Sequence, residues 1–267
     1  MAADLPRLAL ALTALLLLAS CAHPSADFDH AAASLGLRRV VVPGGAFHHA
    51  VYLHDGARTG TLHLYIDGDG TPWMGGYPTA DPTPRNTLVL RLMARDPARS
   101  AYVGRPCYNG MNDAACAPPL WTRDRYGPEV LDSMTEAVRR LLAAEREQEI
   151  AWFGHSGGGT LAVLLAPRFT ETRGVTTIAG VLDTAAWARA VAHEDLGGSL
   201  NPADQQPLPP AIRQRHYAGA DDPVAPPRLM EAGARRLGGH LIVVEGFDHA
   251  CCWEQAWNAI LAEAPDF

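Results

Sequence analysis

Apolar positions change period along this chain, and each change predicts an element. "LRRVVVPGG" and "HHAVYLHDG" are rich in β-branched and aromatic residues and meet at a Pro-Gly-Gly turn, which predicts two strands joined as a hairpin. "TLHLYIDG" reads as a third strand, followed by a Pro- and Gly-rich loop from Thr71 to Asn86. "NTLVLRLM" reads as the next strand, and the segment from Arg95 to Pro128 as loop. "PEVLDSMTEAVRRLLAAERE" then shifts to a helical period, with Val130, Met134, Val138, Leu141 and Leu142 on one face. "EIAWFGHSGGGTLAVLLAP" is apolar on both sides of a glycine-rich break, which predicts a buried strand, an abrupt turn and a buried helix stopped by Pro167. A strand in "GVTTIAGVLD", a helix around Ala185 to His193, a Pro-rich loop from Leu200 to Pro210, strands in "IRQRHYAG" and "HLIVVEG", and a closing helix in "WEQAWNAILAEA" complete the series. Strands alternating with helices predict an α/β fold: a mostly parallel sheet covered by helices on both faces and opened by an antiparallel hairpin. No internal repeat and no second core is evident.

The N-terminus follows a different pattern. Arg7 precedes an apolar run from Leu8 to Leu18, too short for a permanent bilayer span of about 20 residues. The run ends in Leu18-Ala19-Ser20-Cys21 and resembles a bacterial lipoprotein signal, which implies lipidation at Cys21. The expected organisation is a signal peptide over 1–20, a tether over 21–35 and a single domain over 36–267. Export to the cell envelope follows, and Ala22, rather than Asp, after the cysteine points to the outer membrane by analogy with enteric lipoproteins. Cys107, Cys116, Cys251 and Cys252 would then meet an oxidising compartment. Cys107 and Cys116 bracket "CYNGMNDAAC" and are the favoured local disulfide; Cys251-Cys252 is either a vicinal bridge or two thiols.

Composition narrows the function. The chain has 267 residues, 48% of them hydrophobic, a net charge of −7 and no basic block, which argues against nucleic acid as a partner. Every basic residue apart from histidine is arginine, so Schiff-base chemistry, a Walker-type phosphate loop and a Ser-Lys dyad are excluded.

Gly154-His155-Ser156-Gly157-Gly158 matches G-x-S-x-G between a predicted strand and a predicted helix, the setting in which the motif lifts a serine hydroxyl clear of a sheet edge. A serine nucleophile needs a base and an orienting acid. "VVEGFDHACCW" offers His249 after the last strand, and "HYAGADDPVAP" offers Asp221 and Asp222 after the one before it. "GHSGG", "GADDPVAP" and "GFDH", in that order, resemble the α/β-hydrolase superfamily, and the resemblance runs from about Leu35 to Phe267. It implies the triad Ser156, Asp222 and His249, since Gly219 and Pro226 fit Asp222 in a G-x-x-D-x-x-x-P pattern. Asp183, at the end of an earlier strand, and Asp221 stay open as the acid. Asp248 does not, because adjacent side chains diverge.

The "IDGDG" turn after the third strand does not fit a calcium loop, because Pro72 and Pro78 stand where an EF-hand requires glycine and a bidentate glutamate. Its place is that of the second oxyanion donor. Gly157 N–H would be one arm and Asp69 N–H the other, with Gly70 or Gly68 as alternatives. A carboxylate at Asp69 opposes an oxyanion, so it either turns away, with Arg105 as a candidate partner, or selects a cationic group on the substrate. His48, His49 and His63 read as surface or core residues, and His155 as packing beside the nucleophile. A zinc site from His249, Cys251 and Cys252 lacks a second ligand pair. Trp73, Trp121 and Trp187 are candidate walls of an acyl pocket, with ordinary packing preferred for Trp187. The chemistry requires no cofactor and no metal. The short connection from Asp183 to Ile212 leaves no room for a large lid, which favours small or soluble esters. The expected partner is a small acyl substrate, with membrane contact through the lipid anchor only. A peptidase on the same triad and a non-catalytic envelope lipoprotein are the alternatives.

Overall fold

The computed structural model describes residues 23–146 and 148–264. The expected signal peptide and Cys21 lie outside the described residues. Ten strands form: β1 Arg38–Gly44, β2 Phe47–His54, β3 Thr61–Ile66, β4 Trp73–Met74, β5 Tyr77–Pro78, β6 Ser100–Val103, β7 Glu149–His155, β8 Thr172–Ile178, β9 Arg213–Gly219 and β10 Leu241–Val244. The helices are α1 Pro24–Ser34, α2 Leu88–Met93, α3 Pro128–Glu145, α4 Gly157–Leu165, α5 Thr184–Trp187, α6 Pro227–Arg236 and α7 Trp253–Glu263. Eight strands make one sheet in the order β1-β2-β6-β3-β7-β8-β9-β10, and β4 pairs only with β5. β1–β2 and β2–β6 are antiparallel and every later pairing is parallel, as the pattern predicts. No helix among the described residues is long and apolar enough to cross a membrane.

Strand alternation sorts the core onto the two faces of this sheet. Leu62, Leu64, Ile66, Ile150 and Trp152 join a cluster with Val130, Met134 and Val138 of α3 and Leu161 of α4. Tyr65, Ala151 and Phe153 point the other way, into a cluster with Phe28 of α1, Leu88 of α2 and Trp257 of α7. Tyr65 stacks on Phe153 at 4.9 Å, and Trp257 meets Phe153 edge-on at 5.7 Å. Each fully buried large apolar side chain contributes about 2 kcal/mol.

Four segments differ from the sequence reading. "NTLVLRLM", expected as a strand, is helix α2, because a short apolar run buried on most sides carries no period that separates helix from strand. The expected loop after it contains β6, four buried residues inserted between β2 and β3. The expected tether instead contains α1, which buries Phe28 and Ala32 against Tyr52 and Tyr102. Helix α6 follows the Asp222 loop, where none was expected; Pro227 begins it, at a position where a missing N–H costs nothing.

Candidate active site

β7 delivers Ser156 at its carboxyl end with φ 53° and ψ −125°, a left-handed conformation that non-glycine residues seldom adopt. Its backbone is held on both sides: Ser156 N donates to Ile178 O at 3.2 Å, and Ser156 O accepts from Gly159 N at 2.9 Å. The turn is also too close to β3 for side chains. A Cβ on Gly158 would lie 2.1 Å from Ile66 O, which explains the glycine after Gly157. α4 starts immediately beyond, so its N-terminal N–H groups face the serine.

The loops after β9 and β10 bring two further groups to this point. His249 Nε2 lies 3.0 Å from Ser156 Oγ, and His249 Nδ1 lies 2.8 Å from Asp222 Oδ2. Asp222 is buried, and its other oxygen accepts from Val224 N at 2.7 Å and Ala225 N at 2.8 Å. The competing acids are engaged elsewhere. Asp183 caps α5, accepting from Ala186 N at 2.9 Å; Asp221 is exposed; Asp248 accepts from Ala250 N and Cys251 N within its own turn.

The turn after β3 lies over the serine: a Cβ on Gly68 would stand 3.2 Å from Ser156 Cβ. Gly68 N donates to Asp67 Oδ1 at 2.7 Å and is therefore engaged. Asp69 N and Gly157 N donate to no other group among the described residues. The Asp69 carboxylate turns into the protein. Arg105 reaches Oδ1 at 2.9 Å, Arg125 reaches Oδ2 at 3.4 Å, and Tyr126 Oη donates at 2.6 Å. Tyr108 Oη also donates to Asp69 O at 3.0 Å. Burial alone would raise the Asp69 pKa, but Arg125, Arg105 and the Tyr126 hydroxyl hold it below its ordinary value. Arg125 is shared with Glu194, whose carboxylate it contacts directly. The acid thus pairs with Arg105, as one of the two sequence readings expects, and a second arginine joins it. Arg125, Tyr126 and Tyr108 carried no local signal, lying in a stretch read as plain loop.

The two disulfides are Cys107–Cys116, with Cα atoms 5.6 Å apart, and the vicinal Cys251–Cys252. The first closes the loop that begins just after Arg105. The second lies between His249 and α7. Among the described residues no group of three or more His, Cys, Asp or Glu side chains could hold a metal ion.

His155 sits behind His249, with ring centroids 5.0 Å apart and its Nε2 donating to His249 O at 2.9 Å. Its Nδ1 faces Asp67 Oδ1 at 3.5 Å. Burial would lower the His155 pKa, yet Asp67 outweighs that and raises it. The other three histidines singled out in the sequence are occupied: His48 pairs with Asp113, His49 is buried between Gly104 O and Ser133 Oγ, and His63 pairs with Asp96. Ser156 and His249 open into a cavity of about 390 Å³, walled by Gly68, Asp69, Arg125, Trp187, Glu194 and Val224 among others. Of the three candidate tryptophans only Trp187 lines it, fixed by Nε1 donating to Val224 O at 2.7 Å. Trp187 also belongs to the core cluster, so it packs as preferred and walls the cavity as well; Trp121 is in the core and Trp73 is exposed on β4.

The sheet order and the strand–turn–helix at Ser156 define an α/β-hydrolase fold. A family model described as lipase (class 3) matches residues 91–189, which include Ser156 but neither Asp222 nor His249. An α/β serine hydrolase without a lid from Xanthomonas campestris superposes with a TM-score of 0.56 at 11% identity, covering 86% of this chain and 96% of that one. A bacterial membrane phospholipase A gives 0.57 at 16% identity, over 97% of this chain and 100% of its own. The acylaminoacyl peptidase of Pyrococcus horikoshii gives 0.59 at 12% identity over 86% of this chain, which spans 42% of that protein. No curated protein sequence matches the chain.

Proposed function

We propose that the protein is a serine hydrolase that cleaves a carboxylic ester through an acyl-enzyme. The observation that carries this reading is the unbroken relay Asp222 Oδ2–His249 Nδ1 and His249 Nε2–Ser156 Oγ, at 2.8 and 3.0 Å, opening into the cavity. In the first half-reaction His249 Nε2 takes the Ser156 proton as Oγ attacks the acyl carbonyl, and the same proton passes to the departing alkoxide. Asp222 keeps the Nδ1 proton in place and stabilises the imidazolium. Water, deprotonated by His249, then releases the acid and restores Ser156. The N–H groups of Gly157 and Asp69 are the donors for the tetrahedral oxyanion, and each such donor is worth about 10²–10³ in rate. Because Arg105, Arg125 and Tyr126 satisfy the Asp69 carboxylate, that acid is not a receptor for a substrate amine, which favours ester over aminopeptidase chemistry.

The test is labelling by a fluorophosphonate probe alongside Ser156→Ala, followed by turnover of p-nitrophenyl esters and aminoacyl anilides. Labelling of the wild type alone, with esters turned over faster than anilides, is the expected result. A folded wild type that takes no label overturns the reading; anilides turned over faster assign the peptidase alternative. The lipoprotein signal peptide over residues 1–20 is part of the same proposal, which has the enzyme held at the cell envelope by a lipid at Cys21. Mass analysis of the mature N-terminus tests it: an acylated Cys21 is expected, and an unmodified Met1 rules it out.

A further inference from the structure

Exposed apolar side chains on this molecule are concentrated at one place. Six large hydrophobic residues are exposed among those described: Val41, Trp73, Met74, Tyr77, Val224 and Val243. Trp73, Met74 and Tyr77 occupy the β4–β5 hairpin, at 40%, 53% and 77% exposure, while Val224 lines the cavity that holds Ser156. The hairpin adjoins the same mouth, because Thr71 and Pro72, which lead into it, are cavity walls. It is a two-residue turn in which Gly75 and Gly76 both have positive φ, pairing Met74 with Tyr77 and Trp73 with Pro78. Its base is fixed by Thr79 N donating to Pro72 O at 3.0 Å. It packs into neither core cluster.

The start of the described chain is tied to that base. Ser25 N, in the first turn of α1, donates to Asp81 Oδ2 at 2.9 Å, and Asp81 stands three residues beyond Pro78. Asp81 Oδ1 in turn accepts from Thr83 N at 3.0 Å. Cys21 is four residues before Ser25, so a lipid on it is within roughly 14 Å of chain from this point. Arg85, exposed on the rim of the same cavity, has no ion-pair partner among the described residues and offers a cation to phosphate groups. The start of the described chain, the aromatic hairpin, the cation and the cavity mouth therefore share one side of the molecule. Trp and Tyr side chains are enriched at membrane–water interfaces, where the ring is buried and its polar atom stays wet.

We infer that the β4–β5 hairpin is a second membrane contact, which inserts Trp73, Met74 and Tyr77 into a phospholipid surface and turns the Ser156 cavity toward it. The substrate class is then an amphiphilic ester presented at the interface, an extension that rests on the serine hydrolase reading. The bilayer itself then covers the mouth of the cavity.

The test uses the full chain reconstituted in vesicles of three parts phosphatidylcholine to one part phosphatidylglycerol. With brominated phosphatidylcholine, wild-type emission is expected to fall by up to about one sixth through Trp73, one of six tryptophans, and Trp73→Phe to lose most of that quenching. A triple W73S/M74S/Y77S variant is expected to lose tenfold or more of its turnover of a vesicle-borne ester while keeping that of water-soluble p-nitrophenyl acetate. Equal quenching in wild type and Trp73→Phe overturns the inference, whatever the catalytic result. So does a variant that changes oligomeric state without changing quenching, which assigns the hairpin to a second copy of the chain. A wild type inactive on both esters counts against the hydrolase reading alone and leaves the quenching result to decide the contact.

Discussion

Asp69, half-buried, and Asp222, buried, are carboxylates in the loops around Ser156, and they are balanced by different kinds of partner. Asp69 faces two guanidinium groups and a phenol, Arg105, Arg125 and Tyr126. Asp222 faces two backbone N–H groups and one imidazole, His249. Guanidinium does not deprotonate in this setting, so the charge at Asp69 is cancelled permanently and the group acts as a brace for the turn over Ser156. In the proposed reaction the imidazole gains and loses a proton, which would match Asp222 to a charge that appears only as Ser156 attacks. The same residue type is thus a fixed strut in one loop and a responsive partner in the other, and the neighbours alone make the difference.

Several substitutions can break this contrast. Asp222→Asn is expected to lower kcat by about 10⁴-fold with little change in Tm, since it keeps the backbone hydrogen bonds but loses the partner for the imidazolium. Parallel thermal melts and ester kinetics check this; a large loss of stability would show that Asp222 is a strut as well. Asp69→Asn reverses the balance. It leaves Arg125 with Glu194 and Arg105 with only the Asp67 carbonyl, so denaturant titration is expected to report a loss of about 3 kcal/mol. The accompanying fall in kcat is about 10²–10³-fold, through displacement of the oxyanion donor. Gly157→Ala isolates the contact between the two arms, because the new Cβ would stand 1.9 Å from Asp69 Oδ1. About 10²-fold loss of kcat, with KM changed less, is the expected kinetic split.

The smallest expected effect concerns pH. The Asp69 pKa is lowered by folding, so its stabilisation is present above the ordinary carboxylate value and is lost only as pH falls through the lower folded value. His155 behaves oppositely. Its pKa is raised, so its contribution is complete below about 6.5 and fades as pH rises through the folded value. Unfolding free energies from urea titration at pH 6 and pH 9 should therefore converge in His155→Gln relative to wild type. An unchanged difference between the two pH values would remove His155 as the source.

Much of this was written locally. The G-x-S-x-G break between apolar runs placed Ser156, because a strained turn needs glycines at fixed offsets and leaves them in the sequence. His249 lies in a turn directly after a predicted strand; the acid was left among Asp222, Asp221 and Asp183, with Asp222 preferred through the family resemblance. The parallel sheet followed from alternating strand and helix periods. Where the signal failed, the cause was physical. The "LVLRLM" run is buried on most sides, so period could not separate helix from strand; β6 is only four residues long; α1 looked polar because it buries just Phe28 and Ala32. The rest of the Asp69 network is the clearest gap, since Arg125 and Tyr126, 56 and 57 residues from that acid, gave no local signal. By itself the sequence determined which residues could carry acyl chemistry and in what order they come. Only the tertiary structure decided which carboxylates meet arginine and which meets histidine, because charge balance in a buried site is set by through-space distance, which local pattern does not encode.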